Sequence, residues 1–354
     1  MSLLDRYIVR AILGLTGIVG LGLITIYSFI SFVAELDRSA NDQLGLDVIA
    51  LYTAFLAPTG LYLLLPLIAM LGTLLGVGQL ASQSELTAMR AAGYSNLRIG
   101  RAALIGGALL GLLGVVMGET LVPMGERAAG NIKAQAHHGV DAGATLKPVW
   151  LRDGDTFFHI RRLIAEDRFA DADVYVLGED MRLESVMRVD SAQYQGDHWQ
   201  FNGITRTAFD FRGAQVSEQV SLRWTGSLSP DVLRLFVLEA DTVSARGLLR
   251  LVGYLQANGL DASEQRLELW RKLVSPFTVM TMVLFAVPFV FGPNRSGGAG
   301  QRLLIGVLVG VSFHLLNEVS ASFGALYRWP APVSAGLPTL ALLLIGLLRL
   351  ARAR

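Results

Sequence analysis

Apolar residues gather into three long runs near residues 8–34, 51–81 and 102–122, and into three more near 273–291, 303–323 and 333–348. A hydrocarbon core about 30 Å thick takes about 20 helical residues to cross, so each run predicts a membrane-spanning helix. Backbone polar groups in lipid have no water to bond and must pair within their own helix. Between residues 122 and 273 the character changes. From about 140 to 223 the pattern alternates with period two, as in 156–160, 174–177, 204–211 and 216–224. Turn signals at Asp153-Gly154, Gly178, Gly196-Asp197, Asn202-Gly203 and Gly213 separate the runs. Short strands closely spaced by glycine turns predict an antiparallel sandwich, jelly roll or open barrel. Two helices follow at 243–257 and 262–272, broken at Asn258-Gly259, the second running into the fourth span. The expected fold is thus an α-helical membrane protein with six transmembrane helices and an inserted antiparallel β jelly-roll-like domain. Its divisions are 1–122, 123–272 and 273–354.

Composition agrees. The hydrophobic fraction is 52%, the charged fraction 17% and the mean hydropathy +0.47, which excludes an ordinary soluble domain. With no cysteine, disulfides, thiolate catalysis and Cys-ligated metals are all excluded. The first run is too long for the core of a signal peptide and no small-x-small cleavage site follows it, so it reads as a retained anchor. Charge is sorted by topology. Arg6, Arg10, Arg90, Arg98, Arg101, Arg295, Arg302, Arg349, Arg352 and Arg354 lie on one side, with Asp5 and Glu85. The other side has Arg38 and Arg328 against Glu35, Asp37, Asp42 and Asp47. The positive-inside bias puts both termini in the cytoplasm and the β domain outside it.

Few residues suggest chemistry. His137 and His138 are adjacent, and neighbours in sequence do not face each other on a helix; no metal site is expected there. His159 and His198 lie in alternating runs and read as surface or edge residues. There is no GxxxxGK[ST], GxSxG or HExxH, so no catalytic constellation and no nucleotide-binding loop is expected. His314, Asn317 and Glu318 stand at i, i+3 and i+4, on one face of the fifth span. Ionisable groups in lipid are costly and face a bundle interior, a cavity or a partner. A helix–helix contact or cavity wall is the favoured reading and a proton relay the other. Glycines at 14, 17, 20, 22, 72, 76, 78, 106, 107, 111, 114 and 118 predict close helix approach.

The connection between the second and third spans is the clearest small motif. Ser82-Gln-Ser-Glu85 reads as a capping box, and Gly93 as a left-handed stop. The helix between them would carry Leu86, Met89 and Gly93 on one face, an apolar strip flanked by Glu85 and Arg90. It is either a docking helix for a cytoplasmic partner or a turn that only caps itself.

These motifs resemble the LptF/LptG permease family, and within it the LptG branch, over nearly the whole chain. They are Leu4-Asp-Arg-Tyr-Ile8, Leu65-Pro66, Leu71-Gly72, Gly76-Val-Gly78, Ser84-Glu-Leu86 and Gly93. Further on come Gly118-Glu119, Pro123, Gly125-Glu126, Asn131, Val149-Trp-Leu-Arg-Asp-Gly154, Phe291-Gly-Pro293 and Arg295-Ser296. The resemblance implies a non-catalytic permease subunit of an ABC transporter that extracts lipopolysaccharide from the inner membrane of a Gram-negative bacterium. It implies as partners an LptF-like permease, an LptB-like ATPase dimer, an LptC-like membrane-anchored protein and an LptA-like periplasmic bridge. No cofactor is expected on this chain; ATP and magnesium would belong to the ATPase. Ser84, Glu85, Leu86, Met89, Arg90 and Gly93 match the coupling-helix positions. A V-shaped lipid cavity would be lined partly by spans one, two and five, with Tyr27, Phe29, Ile30, Phe32, Val33, Arg38, Pro66 and Phe313 as candidates. Family members carry lysines near the outer end of span one. This sequence has none between 29 and 38, where Arg38 aligns with one basic position while Ser31 and Asp37 fill others.

Overall fold

The computed structural model describes residues 2–39, 45–136, 148–165, 167–178, 180, 182–210, 213–226, 228–235, 242–291 and 299–352. Asp42, His137, His138, Arg295 and Ser296, singled out above, lie outside them. The chain forms two compact units, one from Met1–Arg38, Ile49–Ala129 and Ser263–Arg354, the other from Ser39–Val48 and Gly130–Ala262.

The first unit is helical. Its elements are α1 (Leu3–Arg38), α2 (Leu46–Ser82), the short α3 (Glu85–Ala91) and α4 (Asn96–Val116). A π-helical turn (Met117–Leu121) joins α4 to α5 (Val122–Ala136), and the chain returns as α8 (Ser263–Phe291), α9 (Ala299–Tyr327) and α10 (Ala331–Arg352). Among the described residues six helices are long and apolar enough to cross a membrane, and each expected span lies within one of them. The helix at 262–272 is continuous with the fourth span, as expected. Ile8, Ile12, Leu65, Ala69, Val77, Ile99, Ala103, Val283 and Val287 are buried together at the centre.

Glycine sets the closest approaches. A Cβ on Gly107 would lie 3.1 Å from the Met280 Cα, and one on Gly111 2.9 Å from the Pro276 carbonyl, so α4 and α8 touch backbone to backbone. On α1 and α2 the pairs run antiparallel: Ile12 against Gly76, Thr16 against Gly72, Gly20 against Ile68, Tyr27 against Gly60. Gly14, Gly17 and Gly22 meet no helix of this chain, since an added Cβ there would meet nothing within 4 Å. Those three lie off the face of α1 that meets α2.

The second unit is built on one six-stranded antiparallel sheet: β1 (Val149–Asp153), β2 (Thr156–Ala165), β3 (Arg168–Leu177), β4 (Leu183–Tyr194), β5 (Trp199–Asp210) and β6 (Gly213–Trp224). Strand order follows sequence order, so the described strands form a meander with no Greek-key crossover. The antiparallel sheet was legible, and its connectivity is simpler than a jelly roll's. One face buries Leu151, Phe158, Ile160, Phe169, Val174, Val189, Trp199 and Phe201, joined by Leu228 and Leu233 from the chain after β6. The Trp199 indole N–H donates to the Leu228 carbonyl at 2.8 Å, which pairs its one polar atom inside that core. The short α6 (Pro230–Leu235) carries Leu233. Then α7 (Ala245–Ala257) is tied to the β1–β2 turn: the Tyr254 hydroxyl donates to the Arg152 carbonyl at 2.6 Å, and the Gly154 N–H to the Asn258 side-chain oxygen at 2.9 Å. On the opposite sheet face His159 stacks on Trp150 at 4.3 Å and Arg161 pairs with Asp171 and Asp173. His159 and His198 are not the surface or edge residues expected: His159 is on β2, paired on both sides and largely covered, and His198 is largely covered beside Asp197 at the β4–β5 turn. Along β6 the pattern of burial is lost, with Val216 and Val220 exposed at the sheet's edge.

A candidate coupling surface and lipid-facing wall

Both ends of α3 are set by backbone geometry. Ser84 stands before it at φ 62°, ψ 5°, a left-handed conformation unusual for serine, and gives no side-chain cap. Ser82 instead donates its hydroxyl to the Gln79 carbonyl at 2.8 Å, at the end of α2. The expected capping box is therefore not formed. Helix α3 begins at Glu85, which occupies its first position and not the third, from which a carboxylate reaches back. The other end matches the expectation. Gly93 has φ 88°; its N–H donates to Arg90 O and that of Tyr94 to Met89 O, each at 3.0 Å. Those two bonds define a Schellman stop, which needs a residue tolerant of positive φ at the glycine.

Leu86 and Met89 point inward. They are buried in the same cluster as Ile8, Val77 and Leu80, so the apolar strip expected to face a partner is covered by the chain's own bundle. A seven-residue helix has too few internal bonds to stand alone, and this packing is what holds it. Its outward side shows Thr87, Ala88, Arg90 and Ala91, a small-residue surface with one fixed positive charge.

Beneath α3 lies a polar junction that the sequence reading missed. The Asp5 carboxylate is buried, accepts the Ser2 N–H at 2.8 Å and the Tyr94 hydroxyl, and lies 3.7 Å from the Arg101 guanidinium. Ser2 Oγ accepts the Asp5 N–H at 3.2 Å, a reciprocal cap for α1. Burial, and then the hydrogen bond to Asp5, push the Tyr94 phenol above its ordinary value. Two residues further along α1, Tyr7 is hydrogen-bonded to Glu85. Ser2-x-x-Asp5 and the aromatic residue after Gly93 were the available signals. Asp5 and Tyr94 are 89 residues apart, and no local pattern joins them.

The candidate lipid-facing residues divide. Phe29, Ile30 and Val33 are exposed on α1, and Phe32 is half-buried. Tyr27 lies over Gly60 of α2 and Pro66 is half-buried within α2. Phe313 is not on this wall: it is buried among Met70, Leu74, Met282, Phe285 and Ala286, filling the space between helices. Helix α9 packs on α2 through Gly306 against Leu71 and Gly310 against Leu67. The most apolar stretches of α1 and α9 are only 6% and 17% buried, against 61% for α2. Two apolar helices resting on α2 thus leave most of their surface uncovered. At the end of α1, Arg38 lies 3.7 Å from Glu35, so its charge is partly answered within the chain.

The polar group of α9 is a helix–helix contact at Glu318, which accepts from Arg271 of α8 at 3.1 Å; Arg271 also donates to Glu268 at 2.9 Å. Asn317 is half-buried, and His314 is exposed on the same helix. Among the described residues, no group of three His, Asp or Glu could hold a metal ion.

Comparison with known proteins accords with this arrangement. Residues 6–352 match the family model of the lipopolysaccharide export system permease LptF/LptG. The chain is 31% identical over 354 residues to the lipopolysaccharide export system permease protein LptG of Escherichia coli strain K12, covering 99% of this chain and 98% of that one. It is 29% identical over 342 residues to the protein of the same name from Haemophilus influenzae, covering 96% of each.

Proposed function

Because the chain belongs to the LptF/LptG family, of its LptG type, we propose that it is the transmembrane permease subunit of an ABC transporter. It extracts lipopolysaccharide from the inner membrane and passes it to a periplasmic bridge. The observation that carries this reading is the uncovered apolar surface of α1 and α9 on either side of α2. Lipid tails cover such a wall in a bilayer without cost, so it can border a lipid-filled space closed on the far side by a second apolar wall. An LptF-like permease supplies it, and lipid acyl chains fill the space between. The opposed apolar surfaces accept such chains because transfer out of the bilayer costs little when apolar area stays covered.

Both termini and α3 lie on the cytoplasmic side in this reading, and the β unit is periplasmic, which the arginine distribution supports. Ser84, Glu85, Leu86, Met89, Arg90 and Gly93 form the coupling element. Leu86 and Met89 seat it on the bundle, Gly93 stops it, and Glu85 and Arg90 meet an LptB-like ATPase dimer. ATP and magnesium are bound by that partner, and this chain does no catalysis. ATP-driven closure moves α3, then the spans, and expels lipid toward the β unit, an LptC-like protein and an LptA-like bridge.

The test is gentle purification from the native membrane followed by native mass spectrometry. Recovery of a related six-span chain, two ATPase copies and bound lipopolysaccharide supports the reading. Recovery of the chain without an ATPase, from a membrane that retains one, overturns it.

A further inference from the structure

From the paired contacts at either end of α3, we infer that Asp5, Tyr7 and Tyr94 clamp this helix to the first turns of α1, so that Asp5 and Tyr94 are positioning residues for transport. The inference rests on α3 being the coupling element. Glu85, the first residue of α3, is hydrogen-bonded to Tyr7. Tyr94, which completes the Schellman stop after α3, donates to Asp5. The two anchors thus lie at opposite ends of α3 and both reach the same short stretch of α1. Between them Leu86 and Met89 are buried beside Ile8 and Ile12. Three points of attachment remove the freedom of α3 to pivot on α1.

The clamp extends further. Arg101 brings the start of α4 to the same carboxylate at 3.7 Å. From its first turns α1 runs along α2 with backbones nearly touching, since a Cβ on Gly76 would lie 2.8 Å from the Ala11 carbonyl and one on Gly72 2.4 Å from the Thr16 Cα. A push on α3 is therefore delivered to α1, the span with the least of its apolar surface covered. Tightly packed interfaces transmit such displacements because they have little room to deform. The buried Asp5 carboxylate fits this role: it takes hydrogen bonds from directions that a loose joint would not hold together, and a buried charge left short of one donor is costly.

The experiment uses the assembled transporter in proteoliposomes, reading lipopolysaccharide released per ATP hydrolysed. Tyr94→Phe keeps the buried ring and removes only the hydroxyl. The expected result is an assembled complex that still hydrolyses ATP but releases about ten-fold less lipid per ATP, the scale of one hydrogen bond to a charged group. Asp5→Asn keeps an oxygen that accepts the Tyr94 hydroxyl and is expected to retain more of the ratio than Asp5→Ala, which keeps none. An unchanged ratio in Tyr94→Phe overturns the clamp, as does an Asp5→Ala complex that assembles and keeps the wild-type ratio. Loss of the ATPase from the Tyr94→Phe complex also overturns it, because the hydroxyl would then build the docking surface instead of passing on its motion. A wild-type complex with no ATP-dependent release would instead be the failure of the transport reading itself.

Discussion

The guanidinium of Arg271 lies 3.1 Å from the carboxylate of Glu318, joining α8 to α9. Arg271 also holds Glu268 of its own helix at 2.9 Å. A carboxylate fixed in this way serves as a fastening between helices. Glu318→Gln keeps an oxygen that accepts from Arg271, and is expected to leave lipid release per ATP within about two-fold of wild type, as for other weakly buried pairs. A proton relay would lose activity altogether in that variant. The ATP-driven release assay in proteoliposomes separates the two.

Helix α1 should tolerate bulk on one face and not on the other. Gly72→Val drives a side chain into the Thr16 backbone, where even a Cβ would lie 2.4 Å from Cα. Overpacking of this kind costs about 1–3 kcal/mol, occasionally more. Gly14→Val meets nothing within 4 Å, and in the chain alone is expected to change stability by less than about 0.5 kcal/mol. Thermal unfolding of the two variants in the same detergent checks the contrast.

Arg38 is the one basic side chain that this sequence retains between positions 29 and 38. Because Glu35 stands 3.7 Å away and the Arg38 side chain is 74% exposed, its attraction for a lipid phosphate is modest. Arg38→Ala should lower lipopolysaccharide occupancy by less than about five-fold, in line with a surface ion pair. Photo-crosslinking of lipid to the variant complex measures this. Undiminished crosslinking would remove Arg38 from the lipid's path.

In the β unit, burial pushes the Tyr254 phenol up to about 12, with the Asp153 carboxylate adding to the effect. Its folded value exceeds its unfolded one, near about 10, so the fold holds the proton more tightly. The resulting stabilisation is complete below the unfolded value and is lost as pH rises through the folded one. A difference titration of tyrosinate absorbance between wild type and Tyr254→Phe should show the missing phenol ionising near pH 12. A missing component near pH 10 would mean that the Tyr254 phenol is not kept buried in solution.

The sequence by itself determined the elements. Runs of apolar residues long enough to cross lipid have one economical conformation, so all six spans were legible, as were the alternating strands between them. Gly93 was legible as a helix stop because positive φ is a local demand of the backbone. What only the tertiary structure decided was the direction in which each helix faces. In a soluble helix the polar side marks the outside, but a membrane span is apolar all round. Nothing in its own pattern says that Phe313 is turned inward, that Phe29 is turned out, or that Gly14 and Gly17 miss the neighbouring helix while Gly72 and Gly76 meet theirs. The same holds for α3, whose strip of Leu86 and Met89 was visible as a strip while its burial against Ile8 was not. Asp5 with Tyr94, and Arg271 with Glu318, are joined across long stretches of chain. Such pairs exist only once packing has brought their helices together; for Asp5 the ordering force is the cost of leaving a buried charge unanswered, and burial is a property of the assembled bundle.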